Sequence, residues 1–77
     1  MNKIVNVVIA GRTYYLGTDE DEEYAKNLAD FVSARILQIK RASGASSLDC
    51  ATIAAFQLAD ELHKALNKND KKTQKDN

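Results

Sequence analysis

The chain has 77 residues with 11 basic and 11 acidic side chains, no Pro or Trp, one Cys and one His. That is one small domain whose own core is marginal, and a single Cys with a single His supplies neither a disulfide framework nor a zinc site, which leaves oligomerisation as the common route to stability. Zero formal charge gives no global attraction to nucleic acid or anionic membrane.

Residues 3–16 read as a β-hairpin. Ile4–Ile9 is rich in β-branched residues, with Val5, Val7 and Ile9 on one face and Ile4, Asn6 and Val8 on the other. Ala10-Gly11 is the turn, with Gly11 able to take positive φ. Arg12–Leu16 returns with Tyr14 and Leu16 on one face and Thr13 and Tyr15 on the other. A lone hairpin is not stable in water, so it must pack on helices or pair with another strand.

A first helix is expected from Thr18, as N-cap, to about Arg41. The acidic run Asp19-Glu20-Asp21-Glu22-Glu23 then falls in the first turn, at the positive end of the macrodipole, and Lys40 and Arg41 sit at the negative end. Tyr24, Ala25, Leu28, Ala29, Phe31, Val32, Ile36 and Ile39 share a broad face. Arg35 falls inside that apolar stripe; it either snorkels or pairs with Asp60 or Glu61.

Ala42–Ser47 is a loop in which Gly44 can end one helix and Ser46, three residues before Asp49, can cap the next. The second helix is expected from Ser47 to Asn67, antiparallel to the first. Leu48, Ala51, Ala54, Ala55, Leu58, Ala59, Leu62, Ala65 and Leu66 cluster on one wide face, with Ile53 and Phe56 on the opposite side. A helix that is apolar nearly all round is buried on more than one side, and a second copy is the simplest cover. Ile53, Ala54, Phe56, Leu58 and Leu62 are the candidate dimer-interface residues. Residues 68–77 contain no apolar residue and read as a disordered polar tail after a domain of residues 1–67.

The expected class is therefore α+β, with a hairpin, two antiparallel helices and dimerisation through the Ala/Leu-rich face of the second. No acid–base pair, metal cluster or phosphate loop is present, so no enzyme activity and no cofactor are expected. Cys50 has no base partner nearby in sequence and reads as a packed thiol, and His63 as a surface or interface residue. No apolar run approaches the roughly 20 residues that span a bilayer, and Asn6 interrupts any signal-peptide core, so a cytoplasmic protein without membrane partners is expected.

Three segments together resemble the ZapA family: Val7-x-Ile9-x-Gly11-Arg12-x-Tyr14-x-Leu16, Val32-x-x-Arg35-Ile36-x-x-Ile39-Lys40, and Ser47-x-Asp49-x-x-Thr52-Ile53-Ala54-Ala55-Phe56-Gln57-Leu58-Ala59-Asp60-Glu61-Leu62. Phe56 and Gln57 stand where the family usually has Leu and Asn. The resemblance implies a non-catalytic cell-division (septation) protein that binds the tubulin-like GTPase FtsZ and bundles its filaments into the Z-ring at mid-cell. It also implies partner-binding charge at Arg12, Lys40 and Asp49, with Arg41 nearby. Family members with a long C-terminal coiled coil form tetramers; the apolar pattern here stops near Leu66, so a homodimer is expected, with a tetramer left open. The alternative is a small DNA-binding dimer of the ribbon-helix-helix kind. Neutral charge, few base-reading side chains (Lys3 and Asn6) and a hairpin in place of a single strand oppose it.

Overall fold

A computed structural model describes residues 3–74, with side chains through Lys68. Strand β1 (Lys3–Ile9) and strand β2 (Arg12–Thr18) form an antiparallel hairpin, followed by helix α1 (Glu22–Ser43) and helix α2 (Ser47–Gln74). The class is α+β, as expected.

The hairpin register follows from its turn. Ala10 and Gly11 have φ of 51° and 87°, the double positive φ that a type I′ turn requires. Ile9 then pairs with Arg12, Val7 with Tyr14 and Val5 with Leu16. Val5 and Val7 are buried and Ile9 partly so, whereas Ile4 and Val8 face outward. The alternation read from the sequence is the alternation observed.

The start of α1 differs from expectation. Thr18 is the last residue of β2, paired with Lys3, and its Oγ1 accepts a hydrogen bond from the Glu20 amide at 3.0 Å. The hydroxyl does the local capping chemistry that was assigned to it, but on a turn. Asp21 is the N-cap, in extended conformation, and Glu22 and Glu23 occupy the acidic first turn. At the other end Gly44 takes the left-handed conformation with φ 68°, and its N–H closes onto the Lys40 carbonyl, the C-cap expected of a Gly at that point. Ser46 Oγ accepts the Asp49 amide at 3.2 Å, so α2 opens with the predicted cap. It continues to Gln74, past the expected end near Asn67; Lys and Gln are good helix formers and no Gly or Pro interrupts the run. Residues 75–77 of the expected polar tail lie outside the described residues.

Helix α1 is the central element. One side takes the hairpin, where the small side chains of Ala25 and Ala29 let β1 approach and Val5, Val7 and Ala29 form a buried cluster. Another side takes the start of α2, where Ile39, Cys50 and Ala54 are buried and Ile36 and Ala45 pack beside them. These two clusters are separate and small. The Cα envelope measures 48 × 39 × 15 Å, so along its shortest direction the backbone is no more than about two packed elements deep. Helices and hairpin therefore lie in a thin slab, and each keeps an uncovered side.

Candidate functional site: the hairpin–helix groove and the exposed helix face

The turn of the hairpin is fastened to α1 by one hydroxyl. Ser33 Oγ accepts the Ala10 amide at 2.9 Å and donates to the Val8 carbonyl at 3.4 Å. The turn therefore sits over the second half of α1, and Arg12, the first residue of β2, is held near its C-terminal end. The loop brings the first turn of α2 back to the same place. The result is a groove of about 580 Å³. Ile9, Tyr14, Ile36, Leu37, Leu48 and Ala51 provide its apolar lining, and Arg12 and Lys40 its charge. Among the described residues neither cation has a salt-bridge partner.

Of the four candidate partner-binding residues, the fold brings Arg12 and Lys40 into this groove. Arg41 and Asp49 are exposed near the same end of the molecule but are not among its lining residues. Asp49 also donates its amide to the Ser46 cap. Sequence reasoning passed over Ser33, Leu37 and Leu48 as site residues. A hydroxyl between Ala29 and Ile36 on the buried side of α1 was the available signal for the first. Leu48 read as an ordinary member of the apolar face of the second helix, and Leu37 lies outside the stripe assigned to the first.

The candidate dimer-interface residues divide. Ala54 is only 2% exposed and belongs to the cluster with Ile39 and Cys50 inside one chain, so it is not available to a second copy. Its neighbours on α1 come close enough to cover a side chain of one methyl. Ile53, Phe56 and Leu62 are exposed, Phe56 to 73%, and Leu58 is half-buried. Leu66 and, on α1, Tyr24, Leu28 and Phe31 extend the uncovered apolar surface. The buried stripe of α2 is narrow: Cys50 and Ala54 are covered, and Gln57 is half-buried beside Arg35.

Arg35 resolves into a pair rather than a snorkel. Its guanidinium contacts Glu61 twice, Nη1 to Oε2 at 2.7 Å and Nη2 to Oε1 at 3.1 Å, and Nη1 also donates to Gln57 Oε1 at 3.2 Å. The same group lies over the Phe31 ring, 5.6 Å from its centre. The hydrogen bond to Glu61 raises the Arg35 pKa and holds the Glu61 carboxyl below its ordinary value. Asp60, the other carboxylate considered, pairs instead with Lys64 at 3.0 Å along α2. This fork ties α1 to α2 beyond the cluster of Ile39, Cys50 and Ala54.

Cys50 is fully buried, with its thiol 3.5 Å from the Ala45 carbonyl. Among the described residues no group of His, Cys, Asp and Glu is placed to hold a metal ion, and no helix is long and apolar enough to cross a membrane.

Comparison with known proteins gives a family. A family model described as cell division protein ZapA matches residues 5–77. An uncharacterized protein of Treponema pallidum (strain Nichols) is 34% identical over 61 residues, covering 78% of this chain and 56% of that relative. The chain thus spans little more than half the length of this curated relative. No solved structure matches. The motif spacing, the hairpin and two-helix order and the match over nearly the whole chain agree, and the chain belongs to the ZapA family of cell division proteins.

Proposed function

We propose that this is a non-enzymatic cell-division protein that dimerises, binds FtsZ filaments and cross-links them during assembly of the division ring, in the cytoplasm at mid-cell. The family match over residues 5–77 carries the reading. The structure supports it through what a single copy leaves uncovered. Phe56, Leu62 and Leu66 on α2 stay exposed, uncovered by the chain's own elements. Burying a Leu or Phe side chain stabilises by about 1.5–3 kcal/mol, so a second copy laid along α2 has a strong driving force. Ile53, Phe56, Leu58 and Leu62 form the seam in this arrangement.

A dimer carries two copies of the groove that holds Arg12 and Lys40, with Arg41 and Asp49 at its outskirts. Two contacts on one particle bridge neighbouring filaments even where each contact is weak, because the second binding event is intramolecular. Co-sedimentation tests the reading: micromolar protein should pellet with FtsZ polymers and increase the mass of polymer sedimented at low speed. Unchanged polymer mass, with the protein left in the supernatant, would refute it.

A further inference from the structure

We propose that the hairpin–helix groove receives an acidic protein segment through a bulky apolar side chain, with Leu48 and Leu37 gripping the side chain and Arg12 and Lys40 holding the flanking carboxylates. The identity of the partner rests on the reading above, that FtsZ filaments supply the segment; the chemistry of the groove does not. It is an open groove of about 580 Å³, roomy enough to seat a bulky side chain. Its lining combines Tyr14, Leu37, Leu48 and Ala51 with two cations that have no salt-bridge partner among the described residues. Leu48 is 75% exposed, one of the most uncovered large side chains of the molecule, although it starts a capped helix and is held in place by it.

The pairing of charge and grease selects the occupant. Two cations alone would suit a phosphate or any polyanion. The apolar lining they share gives nothing to a phosphate and rewards a Leu, Ile or Phe, while the two cations reward Asp or Glu next to it. Charge complementarity thus points to an acidic segment with a greasy anchor. The turn is rigid enough to make the site specific: Ser33 fixes both the Ala10 amide and the Val8 carbonyl, so the rim that carries Arg12 does not drift from the floor.

The test uses the full chain in two arms. In the first, wild type, Leu48→Met, Leu48→Ser and Lys40→Glu are co-sedimented with FtsZ polymers, and light scattering gives the mass of each variant in solution. Leu48→Ser and Lys40→Glu should each weaken binding about tenfold with unchanged mass and unchanged melting temperature, and Leu48→Met should bind as wild type. If wild type pellets and Leu48→Ser pellets equally well, the groove inference is overturned while the filament-binding reading stands. If Leu48→Ser changes the mass in solution, the groove is a seam between copies and the inference is again overturned. In the second arm a peptide of four glutamates flanking a Phe-Leu pair is titrated against labelled protein. Amide shifts should map to Ala10, Leu37 and Ala51 and should vanish when lysines replace the glutamates. Equal shifts with both peptides, or shifts elsewhere, overturn the inference even if wild type fails to bind filaments; groove-mapped shifts in that case uphold the groove and remove only the filament reading.

Discussion

Arg35 and Glu61, 26 residues apart, are joined by an ion pair, Nη1 to Oε2 at 2.7 Å, and a hydrogen bond, Nη2 to Oε1 at 3.1 Å. The guanidinium is 17% exposed and its carboxylate partner 51%. The pair therefore acts as a geometric pin more than as a source of stability, because solvent screens the outer half of it. Replacing Arg35 by Leu keeps the cover over Phe31 but leaves Glu61 and Gln57 without their donor, so α2 should splay from α1 below Ala54. A drop in melting temperature with Arg35→Leu and only partial recovery with Arg35→Lys, which cannot form the fork, is the expected result.

The same pair gives the fold a pH dependence. The Glu61 carboxyl is held below its ordinary value of 4.5, chiefly by the hydrogen bond from Arg35. A depressed carboxyl contributes stability that is fully present above the unfolded value and is lost as pH falls through the folded value. Glu61→Gln should accordingly melt lower than wild type at pH 7, and the difference should shrink as pH falls below the ordinary Glu value of 4.5. Thermal scans between pH 7 and 3 check this, and a difference that widens on acidification would contradict it.

Ser33→Ala removes the acceptor for the Ala10 amide. A buried amide left without a partner costs about 1–3 kcal/mol, reduced here because the site is only part-buried. Urea unfolding at fixed protein concentration should show a loss of about 1 kcal/mol. Ser33→Thr should retain most of the stability, since the hydroxyl stays.

Ala10 is the only non-glycine with positive φ among the described residues, at 51°. A side chain with Cβ in that conformation costs about 1–2 kcal/mol, which Asn tolerates better than Ala. Ala10→Asn should stabilise the hairpin by up to about 1 kcal/mol, raising the melting temperature without altering the hydrogen bond that the residue-10 amide donates to Ser33. Gly11→Ala, at φ 87°, should do the reverse.

Phe56 is 73% exposed in the single copy. If a second copy lies along α2, Phe56→Asp places a charge in the seam and should weaken self-association on the order of thirtyfold. Light scattering across a concentration series reads this directly. A variant that keeps the wild-type mass at high dilution would place the seam elsewhere on the molecule.

Much of the architecture was legible from local chemistry. Ala10-Gly11 between alternating apolar residues specified the register, Gly44 and Ser46 specified the turn between helices, and Arg35 stood out because a cation does not belong in an apolar stripe. Thr18 misled because a hydroxyl caps a turn and a helix by the same hydrogen bond, and two further strand pairs, Ile4 with Gly17 and Lys3 with Thr18, decided between them. Ala54 misled for another reason. A helical wheel says which residues share a face but not how much of that face the neighbour reaches, and α1 covers only the stripe through Cys50 and Ala54. The groove was not legible at all. Its lining comes from β1, β2, α1 and α2, and no spacing within one segment announces a meeting of four.

The two buried clusters sit on different stretches of α1 and share no residue. The helix thus works as a spar with a separate dry joint toward each end. Damage at one joint should add to damage at the other without amplifying it, so Val7→Ala and Ile39→Val combined should cost the sum of the two. The spar itself, clasped on both sides, should be the last part of the chain to exchange its amide protons with solvent. The half of α2 beyond Glu61, outside both joints, is free to loosen first, whereas the rim that carries Arg12 stays pinned through Ser33, which gives the molecule a fixed lip on a stiff handle.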